Sequence, residues 1–145
     1  MKNILLLACI LSNTYAIGQT TSATPFKGAT VISVPFTGSA GQSLQRIAKV
    51  FVQQGFGIER MDTTLGYFDT APRAYGQLSP AVFLYHVVAK NTVEITGQYQ
   101  VKVGLQTISS PMQWTKSNLT QDKQCFLRAQ EVAESYSPTL QYSTR

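Results

Sequence analysis

Between Val93 and Val103 the chain alternates without a break. Val93, Ile95, Tyr99, Val101 and Val103 take one parity, and Glu94, Thr96, Gln98, Gln100 and Lys102 take the other. A period of two puts successive side chains on opposite faces of a strand, so one face is buried and the other is wet. The preceding stretch, Ala81 to Ala89 (AVFLYHVVA), is apolar at both parities, as in a strand covered on both sides. The two segments read as one long antiparallel hairpin, and the rest of the chain must supply layers that cover it.

The turn chemistry assigns the faces. A two-residue turn at Lys90-Asn91 would demand a positive φ at lysine, which is unfavourable. A three-residue loop, Ala89-Lys90-Asn91, asks this only of Asn91, which tolerates it. That register places Phe83, Tyr85 and Val87 with Val93 and Ile95, toward the core. It turns Val82, Leu84, His86 and Val88 outward and sets His86 opposite Glu94. An apolar row on the second face needs a cover. The first candidate is the chain's own 105–119 segment, expected to be irregular and carrying Trp114. The second is another protein or an apolar ligand. Val82, Leu84, His86, Val88 and Trp114 are therefore the candidate partner- or ligand-binding residues.

The start of the chain constrains its compartment. Lys2 precedes an apolar run from Ile4 to Leu11, with small residues near Ala16 and Gly18, the pattern of a secretory signal peptide over residues 1–18. Cleavage is expected after Ala16 or Gly18. Leu6-Leu7-Ala8-Cys9 also has the form of a bacterial lipobox, and membrane association is expected only if Cys9 is lipidated. Once the leader is removed, about 127 residues remain, enough for one domain with its own core. Cys125 is then the single cysteine, so no intrachain disulfide stabilises the domain, and it reads as a small core residue. The expected location is the periplasm or the outer membrane of a bacterium.

The formal charge is +5, but the basic residues are scattered, with no run and no repeated Arg/aromatic pattern. This argues against nucleic acid as a partner and allows weak attraction to an anionic envelope surface.

Residues 19–28 are polar and small and read as a flexible lead-in. Ala29–Phe36 is a first strand, with Pro35 confined to its end or to an edge. Ser39-Ala40-Gly41-Gln42 is a capping box. It opens a helix whose apolar stripe is Leu44, Ile47, Ala48 and Phe51, stopped by Gly55. Gly57–Asp62 and Leu65–Thr70 are short strands around a Thr63-Thr64 corner. Pro72, Gly76 and Pro80 break the chain before the main hairpin. A last helix starts at Ser117 or Thr120, buries Cys125, Phe126, Ala129, Val132, Ala133 and Tyr136, and ends before Pro138. Residues 138–145 are expected to be a loose tail. The expected fold is a single α+β domain over residues 29–137. It has two layers, with a curved antiparallel sheet of about five strands in the order β-α-β-β-β-β-α and both helices on one face.

The run Gly55-Phe56-Gly57-Ile58-Glu59-Arg60-Met61-Asp62-Thr63-Thr64-Leu65-Gly66-Tyr67-Phe68-Asp69-Thr70 follows a helix with Gly-aromatic, ends a strand near Asp and opens the return strand with Gly-x-aromatic. In this it resembles small bacterial envelope domains of the BamC-like type, the lipoprotein of the outer-membrane barrel-assembly machinery. The resemblance implies a non-enzymatic envelope module that binds other proteins.

The sequence offers little for catalysis. His86 is the only histidine, with no Cys/His/Asp cluster at metal spacing around it, so no metal or other cofactor is expected. Asp62 and Asp69 could approach across the Thr63-Thr64 corner, although aspartates near a corner more often hold the turn. Gly38-Ser39-Ala40-Gly41 is a helix cap, with neither the form of a nucleophile elbow nor the lysine of a phosphate loop. Asn118-Leu119-Thr120 matches a glycosylation sequon, read as a coincidence because the leader and composition have a bacterial character. The expected function is a non-enzymatic envelope module that binds a protein partner. A small apolar-ligand or lipid carrier is the alternative, and a hydrolase working through Asp62, Asp69 or His86 comes third.

Overall fold

A computed structural model describes residues 20–76 and 80–145. The expected leader and Cys9 lie outside these residues. The described chain forms β1 (Thr21–Ser22), β2 (Val31–Val34), α1 (Ala40–Gln53), β3 (Ile58–Asp62), β4 (Tyr67–Thr70), β5 (Arg73–Ala74), β6 (Ala81–Ala89), β7 (Val93–Val103), β8 (Gln106–Pro111), α2 (Gln121–Tyr136) and β9 (Gln141–Ser143).

Helix α1 begins where its capping box predicts. The Ser39 hydroxyl accepts from the Gln42 amide at 3.3 Å, and the Gln42 side chain accepts from the Ser39 amide at 3.2 Å. Its stripe of Leu44, Ile47, Ala48 and Phe51 is buried, and Gly55 follows at a φ of 83°. Helix α2 buries Cys125, Phe126, Ala129, Val132 and Ala133 of the expected face, but Tyr136 is only half-buried, because its hydroxyl reaches to 2.6 Å from that of Thr37. Its N-cap is Thr120, whose hydroxyl lies 3.1 Å from that of Thr115 and caps no amide. Both helices pack on the same face of the sheet, because both meet Tyr85. The Tyr85 ring lies 5.5 Å from Phe51 of α1, and its hydroxyl donates to the Cys125 carbonyl of α2 at 2.9 Å.

The sheet is where expectation and structure part. About five strands were expected; the described residues form one open sheet of nine, every pairing antiparallel. The main path runs β1-β9-β2-β7-β6-β4-β3, with β5 added to β6 and β8 to β7. Three corrections account for the extra strands. First, the residues expected to form a loose tail contain β9, which sits between β1 and β2 with Leu140 and Tyr142 buried beneath it. That burial orders the C-terminal residues and draws Thr21–Ser22 of the expected lead-in onto the sheet. Second, the segment expected to be irregular after Gly104 opens with β8. Gly104 and Leu105 make a two-residue turn between Val103 and Gln106, with positive φ only at Gly104, as in a type II′ hairpin. Third, β5 is a two-residue strand between the breakers Pro72 and Gly76.

The central hairpin has the expected faces but a different loop. Ala89 pairs with Val93, so the loop is Lys90-Asn91-Thr92, and no non-glycine residue described has a positive φ. The shift relative to the expected pairing is two residues, which preserves every side chain's face. Phe83, Tyr85, Val87, Val93 and Ile95 are buried toward the helices, and Val82, Leu84, His86 and Val88 look outward. His86 therefore stands opposite Thr96, and Glu94 opposite Val88. The long strand β7 pairs with β2 through Val93–Ile95 and with β8 through Gln98–Val103, so it changes neighbour at Thr96-Gly97.

Candidate functional site

The outer face of β6 is not covered by the 105–119 segment. Strand β8 lies in the plane of the sheet, beside β7, because its backbone groups are taken up by the ladder. Beyond Pro111 the chain turns to the helix side: the Met112 amide donates to the Gly97 carbonyl at 2.8 Å, and Met112 is fully buried in the core. Trp114 follows it there. Its backbone exchanges hydrogen bonds with Gly28 and Ala29, its ring packs against the core, and the Lys123 ammonium lies 4.4 Å from the ring centroid. Trp114, expected near Leu84, is a structural residue of the opposite layer.

An open groove of about 990 Å³ remains on the outer face. Its floor comes from alternate residues of adjacent strands, which an antiparallel sheet brings level with one another. One row crosses four strands: Arg60 of β3 pairs with Asp69 of β4, Asp69 with His86 of β6, and His86 with Thr96 of β7. The next row sets Leu84 of β6 beside Gln98 of β7, and Gln98 beside Pro111 of β8. Thr30 and Arg145 also line the groove, and the Arg145 amide donates to the Thr30 hydroxyl at 3.1 Å. Of the residues expected on this face, Leu84 and His86 line the groove, whereas Val82 and Val88 share the face outside it.

The electrostatics follow from the row. His86 Nδ1 is 2.6 Å from Asp69 Oδ1, and the Tyr67 ring lies 5.8 Å from the imidazole. An ionised carboxylate only accepts, so the bond fixes a proton on Nδ1. Both side chains stay accessible, at 43% and 35%. Exposed pairs of this kind contribute about 1 kcal/mol or less to stability, so the pair orients His86 more than it holds the fold. Arg60 is held still more firmly protonated, first by hydrogen bonding to Tyr67 and then by the charges of Tyr67 and Asp69. The nearby hydroxyls are engaged elsewhere. Thr96 donates to the His86 carbonyl at 3.2 Å, and Ser109 donates to the Gln98 side chain at 2.9 Å. This arrangement presents charge, hydrogen-bonding groups and one apolar side chain along an extended floor.

The two aspartates do not meet. Asp62 accepts from the amides of Thr64 at 2.9 Å and Leu65 at 2.8 Å, holding the β3–β4 turn as expected of a corner aspartate. Asp69 points into the groove instead. No group of His, Cys, Asp and Glu suited to a metal occurs among the described residues. Cys125 is buried, and burial pushes its thiol up to about 12, in keeping with a core role. Sequence reasoning missed Arg60, Ser109 and Arg145 because β8 was not recognised and strand order was unknown. Thr96 and Gln98 were legible as outward residues from the alternation in β7.

No family model matches the sequence, and no curated protein matches it.

Proposed function

We propose that the protein is a non-enzymatic module of the bacterial cell envelope that binds a protein partner across the outer face of its sheet. The observation that carries this reading is the uncovered groove, with Leu84 in its floor between the Asp69–His86 pair and Gln98. An extended partner segment could place an apolar side chain on Leu84 and satisfy its polar groups on His86, Gln98 and Arg60. Partner recognition of this type combines a few anchors with surrounding polar contacts. An apolar-ligand carrier is supported less, because such sites enclose most of their ligand, whereas this groove is open to solvent along its length. Here Leu84 and Pro111 are the aliphatic side chains of the lining, and most of the remainder are polar or charged. The export pattern at the start of the chain and the BamC-like run Gly55–Thr70 are consistent with the envelope setting.

The test is capture in the native envelope. A photocrosslinking residue replacing Leu84 should trap a discrete protein, and the unmodified protein should retain that partner on purification. Leu84→Glu should abolish retention while leaving the thermal midpoint close to wild type, because Leu84 is only half-buried. A protein that retains nothing and forms no adduct through position 84 would remove the proposal.

A further inference from the structure

The helix layer ends before β7 does. Val93 and Ile95 are fully buried, but Val103, on the same face, is 58% exposed. Ile108 of β8 stands opposite Val101, so it shares that face, and it is 51% exposed. Leu105 forms the apex of the β7–β8 turn and is 107% exposed, so its side chain meets nothing of the fold. The type II′ turn at Gly104-Leu105 thus presents Leu105 at a convex tip, with Val103 and Ile108 behind it. Lys102 flanks the tip, and the chain carries no Asp or Glu between Ile95 and Gln121.

We infer that the tip of the β7–β8 hairpin is a membrane-contact element that inserts Leu105, Val103 and Ile108 into the interface of an anionic lipid surface. Three features favour lipid over a protein. The patch is three side chains on a projecting turn, whereas a stable protein interface uses roughly 20–30 residues a side. A convex apolar apex matches a deformable lipid interface better than a pocket. Lys102, without a competing carboxylate in its stretch of chain, can bury its stem and keep its ammonium at the headgroups. One such contact is weak and reversible, which suits orienting a protein on a surface better than anchoring it. The inference rests on the hairpin tip and is independent of the groove.

The experiment uses the protein as processed by the cell, so wild type and variants carry the same N-terminus. Flotation with vesicles of equal phosphatidylcholine and phosphatidylglycerol should recover wild type, with less recovered by phosphatidylcholine alone or at high salt. Leu105→Glu should lower partitioning about tenfold or more, and Lys102→Glu should remove most of the salt-sensitive part. Thermal midpoints should not change, because these side chains are exposed. Leu105→Trp should give an emission blue shift on vesicle addition beyond that of Trp114 in wild type. Equal partitioning of wild type and Leu105→Glu would overturn the inference, as would a tryptophan at 105 that does not respond. A wild-type dimer that Leu105→Glu dissociates without lipid would also overturn it, by showing that a second copy covers the tip.

Discussion

Replacing Gly97 with alanine should destabilise the fold through one identifiable clash. Gly97 lies opposite Tyr85 on the buried face of the central hairpin, and the Tyr85 ring packs across the space a side chain would fill. A β-carbon built on Gly97 would fall 2.6 Å from Cδ1 and 2.8 Å from Cε1 of that ring, and 3.1 Å from the Leu84 carbonyl oxygen. The ring cannot swing away freely. Phe51 and Phe56 hold it at centroid distances of 5.5 Å and 5.2 Å, and its hydroxyl is tied to the Cys125 carbonyl at 2.9 Å. Overpacking a filled core costs about 1–3 kcal/mol. Removing glycine's freedom from the unfolded chain returns about 0.4–1 kcal/mol. The net expectation is a loss of about 1–2 kcal/mol, read as a lower urea midpoint at unchanged slope by far-ultraviolet circular dichroism. Tyr85→Leu supplies the control. It is destabilising in itself, but Gly97→Ala added to it should cost little, because the clashing ring is gone. Capture through Leu84 should survive Gly97→Ala, since the new methyl group faces the helices. Equal or greater stability of Gly97→Ala, or the same cost with and without the Tyr85 ring, would refute the reasoning.

Two further outcomes follow from buried groups. Tyr142 is 3% exposed and lies 6.0 Å from the Phe126 ring, so Tyr142→Ala should cost about 3–5 kcal/mol in urea unfolding; a loose tail would give a change within about 0.5 kcal/mol. The Cys125 thiol is raised from 9.0 to about 12 by burial, and burial also raises the Tyr85 phenol well above its ordinary value. A raised folded pKa means that the native state holds protons the unfolded chain releases, so stability is intact below pH 9 and falls between about pH 9 and 12. The alkaline decline of the urea midpoint should be shallower in Cys125→Ala, and an identical decline would show that the thiol is not the linked group.

How much of this was legible depends on range. The faces of β6 and β7 came from a period-two pattern and a turn argument, and they survived a loop displaced by one residue because the pairing then shifts by two and parity is unchanged. Helix α1 was legible because its cap, stripe and stop are local. Strand β9 left a signal that was passed over: Leu140 and Tyr142 alternate with Gln141, but three residues between Pro138 and the tail give too short a window for periodicity to stand out. Strand β8 was harder. Gly104-Leu105 has the form of a II′ turn, but Gln106–Pro111 carries one apolar residue on each face, Ile108 and Pro111, so no buried side marks it as a strand. The groove was not legible as a unit. Asp69 and His86 are brought together only by the pairing of β4 with β6, and Arg60 joins their row only through β3. Strand order is a property of the whole sheet, and no spacing within one segment encodes it.

The distribution of roles along β7 has a simple geometric origin. Its alternation continues to Val103, yet its inward residues pass from fully buried at Val93 and Ile95 to mostly exposed at Val103. The pattern that specifies the strand therefore does not specify what covers it. Eleven strand residues extend about 36 Å, whereas the 16 residues of α2 span about 24 Å and the 14 of α1 about 21 Å. Even a helix aligned with β7 falls short by several residues at one end. The shortfall is met by pairing more than by burial: β8 satisfies the backbone of Gln98–Val103, while on the inward face Tyr99 and Val101 are half-buried and Val103 is mostly exposed. The same change of neighbour, from β2 to β8 at Thr96-Gly97, forms one wall of the groove, because Thr96 and Gln98 straddle it and Ser109 bonds to Gln98 from the new strand. The groove and the projecting tip thus share one cause, a central strand longer than the helices that cover it.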